Sequence, residues 1–280
     1  MSDSRASYPL IDLSLARRLE RTEASANAAF VTGRAQLQPE SGATWTDVAG
    51  AYAMFDGVGS PLTQTFGVGL FAEAGEAEFE ALEAFFQERG AEVHHEISPL
   101  AAPALLPHLN ERGYLPIEFT SVMFRPVAGA LPPAPAGEGL RVRRIGADEA
   151  ELWAQVAAQG WSSESADLVP FILEMGKISA RAEGTFCFLA ELEGQPVAAG
   201  GLSLSEGTAL LAGASTIPAA RRKGAQRALL EARLRFAAEQ GCDLVMIGAS
   251  PGSASQRNAE RQGFRVAYTR IKWHLRPPSA

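Results

Sequence analysis

The chain has 280 residues, 46% of them hydrophobic and 20% charged, which is ample for one large core or two of about 140 residues. Its net charge of −7 excludes a general nucleic-acid or membrane-surface binder, whose footprint is basic. No apolar run approaches the ~20 residues of a membrane span, and the first residues lack the basic and apolar regions of a signal peptide, so a cytoplasmic protein is expected.

Residues 10–28 mix Leu13, Leu15, Ala16 and Leu19 with Arg17, Arg18, Glu20 and Glu23, the pattern of a short amphipathic helix. Residues 43–56 alternate loosely and read as strand. Residues 62–70 read as another, ending in Phe66-Gly67-Val68-Gly69-Leu70. A helix over 72–89 carries Phe79, Leu82, Phe85 and Phe86, and Gly90 stops it. A strand over 91–97, a short helix over 103–112 and a strand over 117–124 complete the first half. Residues 128–139 are rich in Pro, Ala and Gly without periodicity and read as a linker.

The second half opens with a strand over 140–145. Helices over 148–158 and 166–182 follow, with a loop at Gly160–Glu164 between them. Strands over 185–192 and 195–203 meet at Glu193-Gly194, a tight hairpin signal. The strand over 208–216 is small and apolar, and Pro218, which has no N–H, should end it. The next helix carries Leu229, Leu230, Leu234 and Ala237 on one side and Arg227, Glu231 and Arg235 on the other. A strand over 243–247, a helix over 254–262 and a strand over 266–275 close the chain. Cys187 and Cys242 read as buried reduced thiols. No pair of cysteines or histidines has zinc-ligand spacing, so no metal is expected; His94 and His95, adjacent on a strand, face opposite sides.

The turn between strand 208–216 and the following helix holds Arg221, Arg222, Lys223, Gly224 and Arg227. A helix N-terminus offers unpaired N–H groups and a partial positive charge, and Gly224 lets backbone approach a ligand. Four cations around it, in an acidic chain, make this an anion site, and a phosphate is the anion such a cradle suits.

Arg221-x-x-Gly224-x-Gln226, after a strand ending Ile217-Pro218, resembles motif A of the Gcn5-related N-acetyltransferases, with glutamine where the family has a small residue. The resemblance implies that Arg221, Arg222, Lys223, Gly224, Ala225, Gln226 and Arg227 hold the pyrophosphate of acetyl-coenzyme A. It also implies that Thr216 and Ile217 pair with the pantetheine arm and that Asn258 contacts the coenzyme. The order of elements over 140–276 is that of the family.

An internal repeat extends the resemblance to the first half. Phe85-x-x-Glu88-x-Gly90 matches Phe236-x-x-Glu239-x-Gly241, and Arg125-Pro126 matches Arg276-Pro277, both at an offset of 151 (236 − 85; 276 − 125). The expected fold is therefore α/β, with two tandem acetyltransferase-like domains, each a mixed, mainly antiparallel twisted sheet flanked by helices. The boundaries are 1–127 for a degenerate domain, 128–139 for the linker and 140–280 for the coenzyme-binding domain. The degenerate copy carries Glu73 and Glu76 where the second half has Gly224 and Arg227 (224 − 151; 227 − 151), so no anion is expected there. Gly67-x-Gly69-x-x-Ala72 satisfies a dinucleotide fingerprint, but no repeated βαβ frame surrounds it.

For the chemistry, the family's thiol-protonating tyrosine falls on Ala259, leaving Ser255 and Tyr268 as substitutes. Glu164 and Glu206 are candidate bases. The expected activity is transfer of an acetyl group from acetyl-CoA to a primary amine, on a small molecule or peptide, by a monomer or homodimer without nucleic acid or membrane. The alternative is a non-catalytic acyl-CoA binding or sensing protein, which the alanine at 259 favours.

Overall fold

The computed structural model describes residues 7–127, 139–162, 167 and 169–276. Two compact units share the chain: Pro126–Val245, and Tyr8–Arg125 together with Met246–Ala280. Of the segment expected as the second domain, residues 140–245 thus lie in one unit and Met246 onward in the other. The expected linker falls outside the described residues except for Gly139.

In the unit begun by Tyr8, α1 (Leu13–Leu37) runs well past its expected end, because Phe30 and Val31 continue the buried stripe of Leu15, Ala16 and Leu19. The segment 43–56 is a hairpin, β1 (Thr44–Val48) and β2 (Ala51–Phe55), turned by Ala49 and Gly50 at φ +52° and +82°. Strand β3 is only Gln64–Phe66: Gly67 and Gly69, at φ +88° and +68°, leave the extended region and end it early. Then come α2 (Glu76–Gln87), β4 (His94–Ile97), α3 (Leu105–Glu111) and β5 (Tyr114–Pro126). From the C-terminal segment the unit takes α7 (Ala254–Arg261) and β11 (Arg265–Leu275).

Its sheet is mixed. β1–β2 and β2–β3 are antiparallel, β3–β4 is parallel, and β11 lies between β4 and β5, antiparallel to both. Phe79, Leu82 and Phe86 of α2 pack on Ala51, Ala53, Val93, Ile97 and Tyr114. On α1, Glu20 and Glu23 face β11. Arg270 donates to Glu20 at 3.2 Å, Glu23 at 2.8 Å and Glu96 at 2.9 Å, while Lys272 reaches Glu96 at 3.5 Å. Burial works against the Arg270 charge, and the three carboxylates outweigh it, so the guanidinium stays above its ordinary range.

The unit Pro126–Val245 is a meander of β6 (Leu140–Arg144), β7 (Thr185–Leu192), β8 (Gln195–Ser205) and β9 (Thr208–Thr216), each antiparallel to the next. Glu193-Gly194 turns β7 into β8 as expected, at φ +51° and +77°. Helices α4 (Ala150–Trp161), α5 (Val169–Ser179) and α6 (Ala225–Glu239) flank it. Trp153, Ala154, Val156 and Ala157 of α4 cover Cys187, Leu189 and Ala199, and the Trp153 indole donates to Phe188 O at 3.1 Å. Strand β10 (Leu244–Ala249) begins here and continues into the other unit. Both cysteines are buried thiols, in no disulfide. Among the described residues no helix is long and apolar enough to cross a membrane.

Candidate functional site at the turn from β9 to α6

Ile217 N–H makes the last ladder bond of β9, to Val197 O at 2.9 Å. Pro218 then starts a single tight turn, Pro218–Ala220, closed by Ala220 N–H to Ile217 O and Arg221 N–H to Pro218 O. Two left-handed residues re-aim the chain into α6: Arg222 at φ +64° and Gly224 at φ +85°. Gly224 is the N-cap and brings no capping side chain. The first bonded amide of the helix is Ala228, to Gly224 O at 3.0 Å, so the N–H groups of Ala225, Gln226 and Arg227 leave the helix end with no acceptor among the described residues. A Cβ on Gly224 would meet only Leu140 Cδ2, at 3.8 Å. Among the described residues, the turn is a short stretch of backbone donors with room for a group at Gly224.

The four cations divide into two pairs. Arg221 is a brace: it donates to Thr216 O at 3.3 Å and to Gly160 O at 2.9 Å, tying the turn to the ends of β9 and α4. Arg227 is ion-paired with Glu231 at 2.8 Å, one helical turn on. Arg222 and Lys223 are exposed and have no partner among the described residues. Gln226, at the motif's small position, folds back and donates from Nε2 to Thr216 Oγ1 at 2.8 Å.

Three supporting residues were not legible as part of this site. Gly160, read as loop, sits in the last turn of α4 against Ser215, whose hydroxyl donates to Ala157 O at 2.9 Å. A Cβ there would stand 2.3 Å from Ser215 Oγ and 3.0 Å from Thr216 N, so only glycine lets α4 approach the end of β9. Beneath α6, buried Arg233 donates to Leu229 O and Gly201 O. Burial pulls its guanidinium down to about 10.

Thr216, Ile217 and Arg221 to Arg227 thus come together in the unit Pro126–Val245. Ser255, Asn258 and Tyr268 belong to the other unit. Ser255 is exposed on the first turn of α7, which Ser253 caps by accepting from Gln256 N–H at 3.1 Å. Asn258 is exposed and accepts from Arg261 at 3.1 Å. Glu164 lies outside the described residues. Tyr268, 6% exposed, donates its hydroxyl to Glu20 at 2.9 Å. Burial, and then the Glu20 carboxylate, hold the phenol well above its ordinary range. A phenol so engaged is a member of the Arg270 network.

The corresponding turn of the first half is closed by its own side chains. A Cβ on Gly67 would meet the Phe71 ring at 2.8 Å, Arg21 lies over that ring at 4.0 Å, and Arg17 donates to Leu70 O at 2.7 Å. The start of α2 carries Glu76 and Glu78, and Glu78 already accepts from the Gly75 N–H at 2.8 Å. An anion there would meet the carboxylates of Glu76 and Glu78.

Residues 149–264, which contain the β9–α6 turn, match the sequence model of the acetyltransferase (GNAT) family. This part of the chain belongs to the GNAT family. A GNAT protein from Kribbella flavida matches with a TM-score of 0.62 at 20% identity, over 90% of this chain and 96% of its own. A tandem GNAT protein from the clavulanic acid biosynthesis pathway matches with a TM-score of 0.59 at 12% identity, over 95% and 96%. A GNAT protein from Sphaerobacter thermophilus matches at 0.56 and 19% identity, over 81% and 77%. At these identities the likeness is one of fold, and the fold is that of tandem GNAT proteins. No curated protein matches the chain.

Proposed function

We propose that the chain binds acetyl-CoA at the β9–α6 turn and passes the acetyl group to a primary amine of a small molecule or peptide. The observation that carries this reading is the uncapped, open N-terminus of α6 beside two cations that pair with nothing else among the described residues. Backbone N–H of Ala225 to Arg227 would hold the pyrophosphate, with Arg222 and Lys223 adding charge-assisted contacts. The coenzyme supplies a thioester, activated toward an amine. The end of β9, braced by Arg221 and by the bond from its own Ser215 to Ala157 of α4, fixes the strand against which the pantetheine arm would lie. The motif's tyrosine position is Ala259, 4% exposed, and Tyr268 is engaged by Glu20, which leaves Ser255 or water to protonate the departing thiolate.

The same two observations favour a second reading, an acyl-CoA binding protein that does not turn over. Calorimetry of acetyl-CoA against the full chain and its Gly224→Glu variant, followed by free-thiol detection across a panel of amines, tests both. Binding by the parent and none by a folded variant supports the site, because glutamate adds bulk and like charge over the donors. Equal binding by both would overturn it. Binding without thiol release against any amine would favour the second reading.

A further inference from the structure

The sequence holds no histidine pair at zinc-ligand spacing, yet the fold makes one from residues 180 positions apart (274 − 94). β4 and β11 run antiparallel with His94 directly opposite His274, so both imidazoles leave the same face of the ladder. The rings stack, with centroids 4.7 Å apart and 22° between their planes. Glu92 precedes His94 by two residues, and its Oε2 lies 3.8 Å from His94 Nε2. One donor atom from each of Glu92, His94 and His274 lies within 4.8 Å of the other two. A second observation points to something unbound. His274 Nε2 is buried and has no hydrogen-bond partner among the described residues, a condition native proteins rarely leave uncompensated.

The geometry points to a divalent metal site, Glu92–His94–His274, suited to a borderline ion such as Zn²⁺. Two imidazole nitrogens and one carboxylate oxygen are a common zinc donor set, leaving a fourth position for water. Zn–N bonds of ~2.0–2.1 Å place donors about 3.3 Å apart in a tetrahedron. Reaching that spacing takes a rotation of Glu92, whose side chain is 73% exposed, together with adjustment of the two stacked imidazoles. Lys272, two residues before His274 on the same face of β11, is ion-paired with Glu96 at 3.5 Å and Glu118 at 3.4 Å, which offsets its charge beside the site. Metal bound here would fasten β11 to β4. It revises the expectation of no metal, because sequence spacing sees only ligands that are close along the chain.

The test titrates Zn²⁺ into the tag-free full chain by calorimetry, beside His94→Ala, His274→Ala and Glu92→Gln, with thermal melts of each. Expected are one Zn²⁺ per chain and a midpoint that rises when metal is at ~100 times its dissociation constant. Either histidine variant should lose at least tenfold in affinity. No binding by the parent, or affinity unchanged in both histidine variants, would overturn the site. If a histidine variant does not fold, Glu92→Gln decides: its side chain is on the surface, and a weaker affinity supports the site while an unchanged one counts against it.

Discussion

Replacing Arg222 by glycine separates two roles that the turn gives this residue. Its φ of +64° is left-handed, which costs a residue with a Cβ on the order of 1 kcal/mol. Its guanidinium is one of the two cations free to meet a phosphate. Glycine removes strain and charge together, so stability and binding should move in opposite directions. A gain of ~1 kcal/mol raises the midpoint of a domain this size by about 2–4 °C. Loss of one charge-assisted hydrogen bond, at ~1.5 kcal/mol, raises the dissociation constant for coenzyme A about tenfold. Arg222→Lys keeps both the strain and the charge, and should keep most of the affinity. Calorimetry at low and high salt, with a thermal melt, reads every term; the glycine variant should also show a shallower salt dependence. A higher midpoint with an unchanged dissociation constant would reduce Arg222 to a strained, solvated side chain and refute its place in the site.

Three further outcomes follow from the contacts. Burial pushes the Glu20 carboxyl from 4.5 up to about 7 despite the adjacent Arg270. The folded chain therefore holds that proton more tightly, and the stability it contributes is complete below pH 4.5 and lost as pH rises to about 7. Thermal midpoints of the parent should fall across that window relative to Glu20→Gln, which keeps the shape without titrating; parallel profiles would refute the assignment. Tyr268→Phe keeps the ring and removes the donor to Glu20, so it should cost ~1–3 kcal/mol in stability. Thiol release should stay within about twofold of the parent, whereas a hundredfold fall with stability intact would restore Tyr268 as an acid. Gly160→Ala drives a methyl into Ser215 and should destabilise by ~1–3 kcal/mol despite alanine's better helix propensity. It should also weaken coenzyme binding by displacing the end of β9, and full affinity would exclude that strand end from the site.

What the sequence disclosed and what it hid divide along one physical line. Pro218 and Gly224 act on the backbone within a few residues of themselves, so the end of β9 and the start of α6 fell where their chemistry requires. Glu193-Gly194 likewise needs no distant partner to turn. Glu20 and Glu23 read as a solvated helix face, and they are drawn inward only because Arg270 arrives from a strand some 250 residues later. Buried Arg233 breaks the apolar stripe of α6 for a similar reason, since the Gly201 carbonyl it satisfies belongs to another strand. The basic turn was legible as a cluster of charges, but not the division of labour within it. That Arg221 would brace and Arg222 stand free depends on where the Gly160 carbonyl ends up.

The late arrival of β11 has a consequence for synthesis. It is made 139 residues after β5 ends (265 − 126), so at ~5–20 residues per second the facing edges of β4 and β5 wait about 7–28 s for the strand between them. Unpaired edges of that kind recruit foreign strands. Until β11 is made, the facing edges of β4 and β5 stay open to such pairing. A chain that stops before Arg265 would hold that exposed form permanently, with Glu20, Glu23 and Glu96 left without the arginine that gathers them.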